Sequence, residues 1–170
     1  VNQFLKKGNT KFSVNLNFDK NGKIKHNYEI KGKIENLYFG LPKYQSIENL
    51  NFEFDIKDKN FIFKNVKFNF DKINFNSDKI SIKEENKGYF VEGSLNNSGD
   101  KINKNFIQLF YKTELENINL NKSTFNSKSN FLFLISKKFK IKDLNFKSQV
   151  NIKEFKFDYE SSEIQDFIEE

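Results

Sequence analysis

The 170-residue chain contains no cysteine, methionine, tryptophan, arginine or alanine, and it has only one histidine and one proline. The lack of cysteine excludes disulfide scaffolds, thiol catalysis and iron–sulfur ligation, and a single histidine cannot make a histidine-rich metal site. The longest apolar run, residues 131–135, is far shorter than the roughly 20 residues of a membrane-spanning helix. The sequence therefore predicts no catalytic residue, no metal site and no cofactor, and an enzyme is the least expected class.

The net charge of +6 arises from 29 basic and 23 acidic residues, and every basic residue among the 29 is lysine. Lysine, asparagine, isoleucine and phenylalanine dominate, as in proteins from AT-rich genomes, so the positive charge is weak evidence of a nucleic-acid partner. Arginine, the side chain best suited to bidentate phosphate and guanine contacts, is absent. The phenylalanines fall where a sheet would bury them, not on a base-stacking surface. We therefore expect no nucleic-acid partner.

Alternation of apolar and polar residues is the main structural signal. The chain has 22 phenylalanines, an aromatic content that favours a packed fold over disorder. Apolar residues recur at every second position, as in Phe12, Val14, Leu16 and Phe18, and similar runs predict about a dozen short strands. The predicted fold class is mainly β, an extended, twisted antiparallel sheet with one polar face and with one or two short helices.

Two local patterns refine this prediction. Residues 19–22 read Asp-Lys-Asn-Gly, and the Asn-Gly pair predicts a hairpin turn. The apolar positions change phase between Phe63 and Val66, so a bulge is expected at Lys64 and Asn65.

Helical spacing occurs in two short stretches. Residues 98–100, Ser-Gly-Asp, are expected to cap a helix over 101–111, and the apolar residues within 162–170 predict a second helix. The chain begins at Val1 rather than methionine and ends as the second helix starts. We therefore interpret residues 1–170 as a single β-rich segment of a longer protein.

The apolar face of so many strands needs a cover. Burying one large apolar side chain stabilises a fold by about 1.5–3 kcal/mol, so a whole face left in water is not viable. A second sheet or closure into a barrel would make the chain a structural or adhesive module of a cell surface. A lipid ligand would make the same face a groove.

Residues 64–83 carry alternating apolar residues, residues 89–95 are expected to form a strand with a glycine near its end, and the helix expected at 101–111 precedes renewed strands at 131–148. This order of features resembles the AsmA-like proteins of bacterial envelopes, which include the YhdP and TamB relatives. The resemblance covers most of the chain and rests on this pattern rather than on invariant residues.

This resemblance implies a repeating β-groove, an open groove or half-barrel that is apolar inside and polar outside. It implies a periplasmic protein of a Gram-negative bacterium, anchored in the inner membrane through parts of the chain outside this segment. Phospholipid would pass between the inner and outer membranes with its acyl chains in the groove. The resemblance supplies no catalytic residue.

The expected groove-lining residues lie on three predicted strands. They are Phe52, Phe54, Ile56, Val66, Phe68, Phe70, Phe131, Phe133 and Ile135. In the structural alternative, the same side chains form a protein core. Because residues 131–135 are apolar on both faces, one of these faces is expected to pack against a helix or a neighbouring strand. His26 falls in the apolar phase of its predicted strand and is interpreted as a structural residue.

Overall fold

Eight long strands form one antiparallel sheet. The computed structural model describes residues 5–25, 28–40, 46–102, 107, 118–121, 123–153 and 156–159. Its ten strands are β1 (Leu5–Asn15), β2 (Glu29–Gly40), β3 (Ser46–Lys57), β4 (Asn60–Phe70), β5 (Ile73–Glu85), β6 (Gly88–Lys101), β7 (Ile118–Asn121), β8 (Thr124–Ser136), β9 (Ile141–Lys153) and β10 (Lys156–Tyr159). The main sheet has the order β1-β2-β3-β4-β5-β6-β8-β9, and β7 pairs with β10 in a separate two-stranded sheet.

The prediction of a mainly β, extended antiparallel sheet is confirmed, and the main sheet is open rather than closed into a barrel. Its strands contain 11 to 14 residues, about twice the usual length of roughly 5–6. Seven strand spacings of about 4.8 Å give the sheet a width of roughly 34 Å. The sheet therefore presents two unusually large faces.

Tight turns connect neighbouring strands in the middle of the sheet. Asp58 and Lys59, between β3 and β4, have φ values of 47° and 65°. Asp71 and Lys72, between β4 and β5, have φ values of 49° and 65°. Positive φ at both central residues is the geometry of a type I′ turn, whose twist matches that of the flanking strands. Each strand is thereby paired with the next one along the chain.

The hairpin turn predicted at residues 19–22 is confirmed. The backbone N–H of Asp19 donates to Lys23 O at 2.8 Å, and that of Gly22 donates to Asp19 O at 3.0 Å. The Asp19 side chain accepts two further backbone hydrogen bonds from Asn21 and Lys23. This small turn ends in a bridge between Phe18 and Ile24, inside the longer connection from β1 to β2.

The bulge predicted near Lys64 and Asn65 is also confirmed. Glu53 pairs with Lys64 and Asn51 pairs with Lys67, so β4 contains one more residue than β3 between these pairs. Asn65 takes the left-handed conformation, with φ of 52°. Asparagine tolerates this conformation better than most residues because its short side chain forms local hydrogen bonds.

Two sequence expectations about element boundaries are wrong. In the described part of the chain, several of the expected short strands are parts of single long ones, because bulges join neighbouring runs. Residues 98–100 do not cap a helix but continue β6, where Ser98 pairs with Asn126 and Asp100 with Phe125. The extra residue, Gly99, is accommodated with φ of 73°. Pairing with β8 therefore outcompetes the local capping signal.

Most of the two predicted helices lies outside the described residues. Of residues 101–111, the structure describes only Lys101, which ends β6, together with Ile102 and Ile107. Residues 162–170 and His26 are not among the described residues.

The protein core is small for a chain of this length. Among the described residues, only Val66, Ile73, Val91 and Phe125 are buried apolar side chains. They lie on β4, β5, β6 and β8, four adjacent strands of the main sheet. A second layer packed on the sheet would bury many more apolar side chains. The described sheet is therefore close to a single layer.

Candidate functional site

One face of the main sheet is almost continuously apolar. Residues paired across antiparallel strands point to the same face, so the register assigns each side chain to a side. One row runs through Phe54, Phe63, Ile80, Phe131 and Phe146. We call this side the apolar face; its larger members are Phe12, Val14, Ile30, Ile34, Leu37, Phe39, Ile47, Leu50, Phe52, Phe54, Ile56, Phe61, Phe63, Val66, Phe68, Phe70, Ile73, Phe75, Ile80, Ile82, Tyr89, Val91, Leu95, Phe125, Phe131, Phe133, Ile135, Ile141, Leu144, Phe146, Val150 and Ile152.

All nine groove residues expected from the sequence lie on the apolar face. They fall on three strands and do not form one compact cluster: Phe52, Phe54 and Ile56 on β3, Val66, Phe68 and Phe70 on β4, and Phe131, Phe133 and Ile135 on β8. Four strand spacings, roughly 19 Å, separate β3 from β8. Val66 is buried and the other eight are half-buried. Their contact with lipid stays a prediction.

Aromatic rings cover much of the face between these strands. The ring centroids of Phe52 and Phe63 lie 5.4 Å apart, and those of Phe68 and Phe75 lie 5.5 Å apart. The ring of Phe131 lies over Gly93, because a Cβ atom on this glycine would be only 2.8 Å from the Phe131 Cζ atom. A bulky ring thus spreads over the gap that glycine leaves, as in aromatic rescue of strand glycines. The apolar face is therefore a nearly continuous surface of apolar side chains.

A pocket of about 660 Å³ opens on the apolar face near the start of β8 and the end of β9. Its volume falls within the range of roughly 300–1,000 Å³ that is typical of ligand sites. Its walls are Phe68, Phe70, Phe75, Leu95, Ile102, Ile107, Phe125, Phe146, Val150 and Ile152, and its remaining lining residues are Ser127, Ser129 and Ser148. We call it the serine pocket.

The serines explain why a depression forms here. Ser127 and Ser129 occupy the same phase of β8 as Phe125 and Phe131, and Ser148 has the corresponding place on β9. Small side chains leave open the volume that a phenylalanine would fill. The Ser129 and Ser148 hydroxyl oxygens lie 2.8 Å apart and share a hydrogen bond, which satisfies them within the apolar lining.

Sequence reasoning did not single out these three serines. The available signal was a hydroxyl residue at an inward position, where an apolar residue is the usual choice. Ser127 and Ser129 lie between Phe125 and Phe131, and Ser148 lies between Phe146 and Val150. Alternation predicts a strand and the face that each side chain occupies. It does not predict that small side chains on the apolar face leave a pocket.

The register is consistent with the prediction that one face of residues 131–135 packs against a helix or a neighbouring strand. On the polar side, Leu134 pairs with Phe90 of the neighbouring strand β6, and both are half-buried. Leu132 pairs with Glu92 and is 38% exposed. The contact therefore comes from a neighbouring strand among the described elements.

Both edges of the main sheet expose apolar side chains. At one edge, Phe12 on β1 is 65% exposed, and at the other, Ile141 and Phe146 on β9 are 62% and 58% exposed. Outer strands normally combine edge protection with a covered apolar face. Here the described residues cover the middle of the apolar face better than its two sides.

The opposite, polar face carries mainly charged and amide side chains. Lys31 Nζ lies 2.8 Å from Glu29 Oε1 and 4.0 Å from Asp55 Oδ2, while Lys33 Nζ lies 2.7 Å from Glu35 Oε1. The hydrogen bonds from the lysines lower the pKa values of Glu29 and Glu35 and raise those of Lys31 and Lys33. All four side chains therefore stay charged at neutral pH, as a solvated face requires.

A polar cluster fastens β5 to the end of β6. The Asp100 carboxylate accepts hydrogen bonds from the backbone N–H of Asn74 at 3.1 Å and from its side-chain amide at 2.6 Å. The buried amide of Asn97 donates to the same carboxylate. These contacts hold together the strands that border the serine pocket.

The described residues contain no metal-binding cluster and no membrane-spanning helix. Within the described ranges, no group of three or more histidine, aspartate or glutamate side chains is arranged to hold a metal ion. The same residues include no helix with the length and hydrophobicity needed to cross a bilayer. The chain has no significant match among protein-family models, curated proteins or solved structures.

Proposed function

We propose that the apolar face binds phospholipid acyl chains, as a segment of a β-groove that transfers phospholipid between the inner and outer membranes of a Gram-negative bacterium. The observation that carries this proposal is a wide, nearly single-layered sheet whose one face is apolar from edge to edge. The protein would be periplasmic and anchored to the inner membrane through other parts of its chain.

The size of the face supports a ligand of lipid dimensions. Monomeric soluble proteins rarely expose contiguous apolar patches larger than a few hundred Å². A sheet roughly 34 Å wide with strands of at least 11 residues offers a face several times that size. Each Å² removed from water stabilises the complex by about 25 cal/mol, so a long apolar ligand gains much from lying along it.

The chemistry of the face suits acyl chains better than a polar ligand. A hydrocarbon chain needs apolar contact and no hydrogen-bonding partners, and the rows of phenylalanine and isoleucine provide such contact without directional groups. Charged side chains are confined to the polar face and the strand ends, where a lipid headgroup would remain in water. Transfer would be passive, because the chain contains no nucleotide-binding motif that could drive it.

A structural or adhesive module without lipid is the second candidate. The exposed apolar residues at both edges, such as Phe12 and Ile141, favour it, because a second protein layer or further strands would also bury them. In that case the apolar face would be an internal protein contact.

Lipid extraction distinguishes the two candidates. The full chain is purified from a bacterial host without detergent, and its organic extract is quantified by mass spectrometry. We expect phospholipid in stoichiometric amounts, and a several-fold loss in Phe146→Asp, which places a charge on the wall of the serine pocket at a side chain that is already 58% exposed.

Phe139→Asp is the matched control, because Phe139 is 83% exposed in the turn between β8 and β9. Circular dichroism checks that both variants keep their strands. A folded chain that carries no phospholipid would contradict the proposal and favour the structural module. Equal loss of lipid in both variants would also argue against binding at the apolar face.

A further inference from the structure

The outer edge of β9 has no neighbouring strand among the described residues. β9 pairs with β8 over nearly its whole length, from Ile141 to Lys153, and ends the order of the main sheet. Every residue of β9 is exposed. A strand in this position presents a row of unpaired backbone N–H and C=O groups, which is a template for another strand.

The side chains of β9 are arranged as those of an interior strand. Leu144, Phe146, Val150 and Ile152 continue the apolar face beyond β8, and each is about half exposed. A strand added to this edge would shield these side chains as well as pair with the backbone. β9 therefore has the pattern of a strand with two neighbours, of which the described chain supplies one.

This edge carries a net positive charge, because β9 contains three lysines and one acidic residue, Asp143, which lies at its bulge. Lys142, Lys147 and Lys153 lie on the polar face of β9, opposite Leu134, Asn130 and Thr124 of β8. No acidic residue of β8 faces them, since that strand contains none.

The β2–β3 pair shows how this sheet balances lysines elsewhere. There, Lys31 contacts both Glu29 of its own strand and Asp55 of the next. The lysines of β9 lack such a neighbour on the β8 side, so an acidic strand would complement them on the open side.

The described edge strands of the main sheet, β1 and β9, do not provide that complement when they belong to a second copy of the chain. Pairing β9 with β9 of another copy would bring lysines together across the new interface. Pairing β9 with β1 would do the same, because Lys7 and Lys11 lie on the polar side of β1. Like charges on facing strands are destabilising, so self-association through these edges is disfavoured.

We propose that the outer edge of β9 binds an extended strand of another polypeptide, in which apolar residues alternate with acidic ones. The backbone would supply affinity by strand addition, the apolar residues would continue the apolar face, and the acidic residues would pair with the three lysines. The proposal does not require lipid binding, because it rests on the open edge of β9, on its exposed apolar side chains and on the lysines of its polar face.

A synthetic peptide tests this inference on the full chain. The probe is a fluorescently labelled peptide of alternating valine and glutamate, and binding is followed by anisotropy. We expect binding that weakens as salt is added, and at least about tenfold weaker binding of a peptide with lysine in place of glutamate.

Charge reversal locates the contact. Lys147→Glu should weaken binding of the glutamate peptide and favour the lysine peptide. Lys67→Glu makes the same change in charge on β4, four strand spacings or roughly 19 Å away, and should leave binding nearly unchanged because salt screens beyond about 8–10 Å. Both lysines are exposed, so neither variant should disturb the fold.

Hydrogen exchange separates strand addition from loose charge attraction. The bound glutamate peptide should slow exchange in β9 and leave β1, the opposite edge, unchanged. Binding without slower exchange in β9, or equal binding of both peptides, would overturn the proposal. Concentration-dependent protection of β9 without any peptide would also overturn it, since a second copy would then be the partner.

Discussion

Small side chains shape the apolar face as much as large ones do. Phenylalanine rings cover much of the apolar face, and the serine pocket forms where three serines stand in place of such rings. The hydroxyl groups of Ser129 and Ser148 satisfy each other, so this opening does not leave them without hydrogen bonds. The identity of a few inward-facing residues therefore determines where a pocket forms on the apolar face.

Filling the pocket should remove ligand without loss of stability. In the double variant Ser129→Leu and Ser148→Leu, both hydroxyls of the pair are replaced together, so no buried polar group is left unsatisfied. The added side chains occupy part of the 660 Å³ opening. We expect a several-fold lower phospholipid content by mass spectrometry and an unchanged or higher thermal midpoint.

The control for this variant is Ser98→Leu, on the exposed polar side of β6. It adds a leucine to the sheet away from the pocket and should keep the lipid content of the unmodified chain. An undiminished lipid content in the double variant would show that ligand does not occupy the serine pocket.

At the level of the strand, bulges keep the apolar residues on one face over unusual lengths. The backbone is left-handed at Asn36 in β2, Asn49 in β3, Asn65 in β4 and Asp143 in β9, and the first three lie beside register shifts between β2, β3 and β4. Asp143 lies in a similar shift between β8 and β9. At each site the apolar phase of the strand changes, and the extra residue restores its face.

Replacing Asn65 tests the energetic role of this conformation. We expect Asn65→Val to lower the free energy of unfolding by about 1–2 kcal/mol, because a β-branched residue is strained at positive φ. Asn65→Gly should be nearly neutral, since glycine adopts this conformation without strain. Urea denaturation measures both values, and equal stabilities of the two variants would contradict the argument.

The ion pairs of β2 predict a dependence of stability on pH. Lys33 lowers the pKa of Glu35 in the folded chain, and Lys31 does the same for Glu29. A lowered folded-state pKa contributes stability that is present above the unfolded pKa and lost as pH falls through the folded value. This contribution should therefore be complete at neutral pH and disappear in acid, below about pH 4.

Denaturation of Glu35→Gln at several pH values checks this prediction. The variant should be less stable than the unmodified chain at neutral pH, and the two curves should converge in acid. Glu85→Gln, at the end of β5, makes the same change in charge away from β2 and serves as the control. A difference that persists unchanged in acid would assign the effect of Glu35→Gln to something other than its ion pair.

For the whole molecule, the apolar face links stability to its ligand. A ligand that binds only the folded chain stabilises it in proportion to the logarithm of its free concentration. Because few apolar residues are buried in the described protein itself, we expect the chain to have a lower thermal midpoint after delipidation. Readdition of phospholipid should raise the midpoint with concentration, as measured by calorimetry, whereas a soluble headgroup analogue without acyl chains should not.

The alternation of residues predicted the fold class and placed all nine expected groove residues on one face. The reason is physical, since a strand period of two assigns each side chain to a face before any neighbour is known. The same alternation could not show that the sheet is largely a single layer. An apolar face gives the same sequence pattern whether or not a second layer covers it. One bulge was predicted from its change of phase, while equivalent changes at Asn36, Asn49 and Asp143 were not recognised as signals.

The tight turns of the main sheet have a consequence for how the chain folds. From β1 to β6 every strand pairs with its successor, so these contacts are local hairpins whose closure involves short stretches of chain. The pairing of β6 with β8 is different, because Lys101 and Thr124 meet across more than twenty intervening residues. Contacts between distant residues form more slowly than local ones. The hairpins among the first six strands and the β8–β9 hairpin would thus form early, and the pairing of β8 with β6 would be the slowest step.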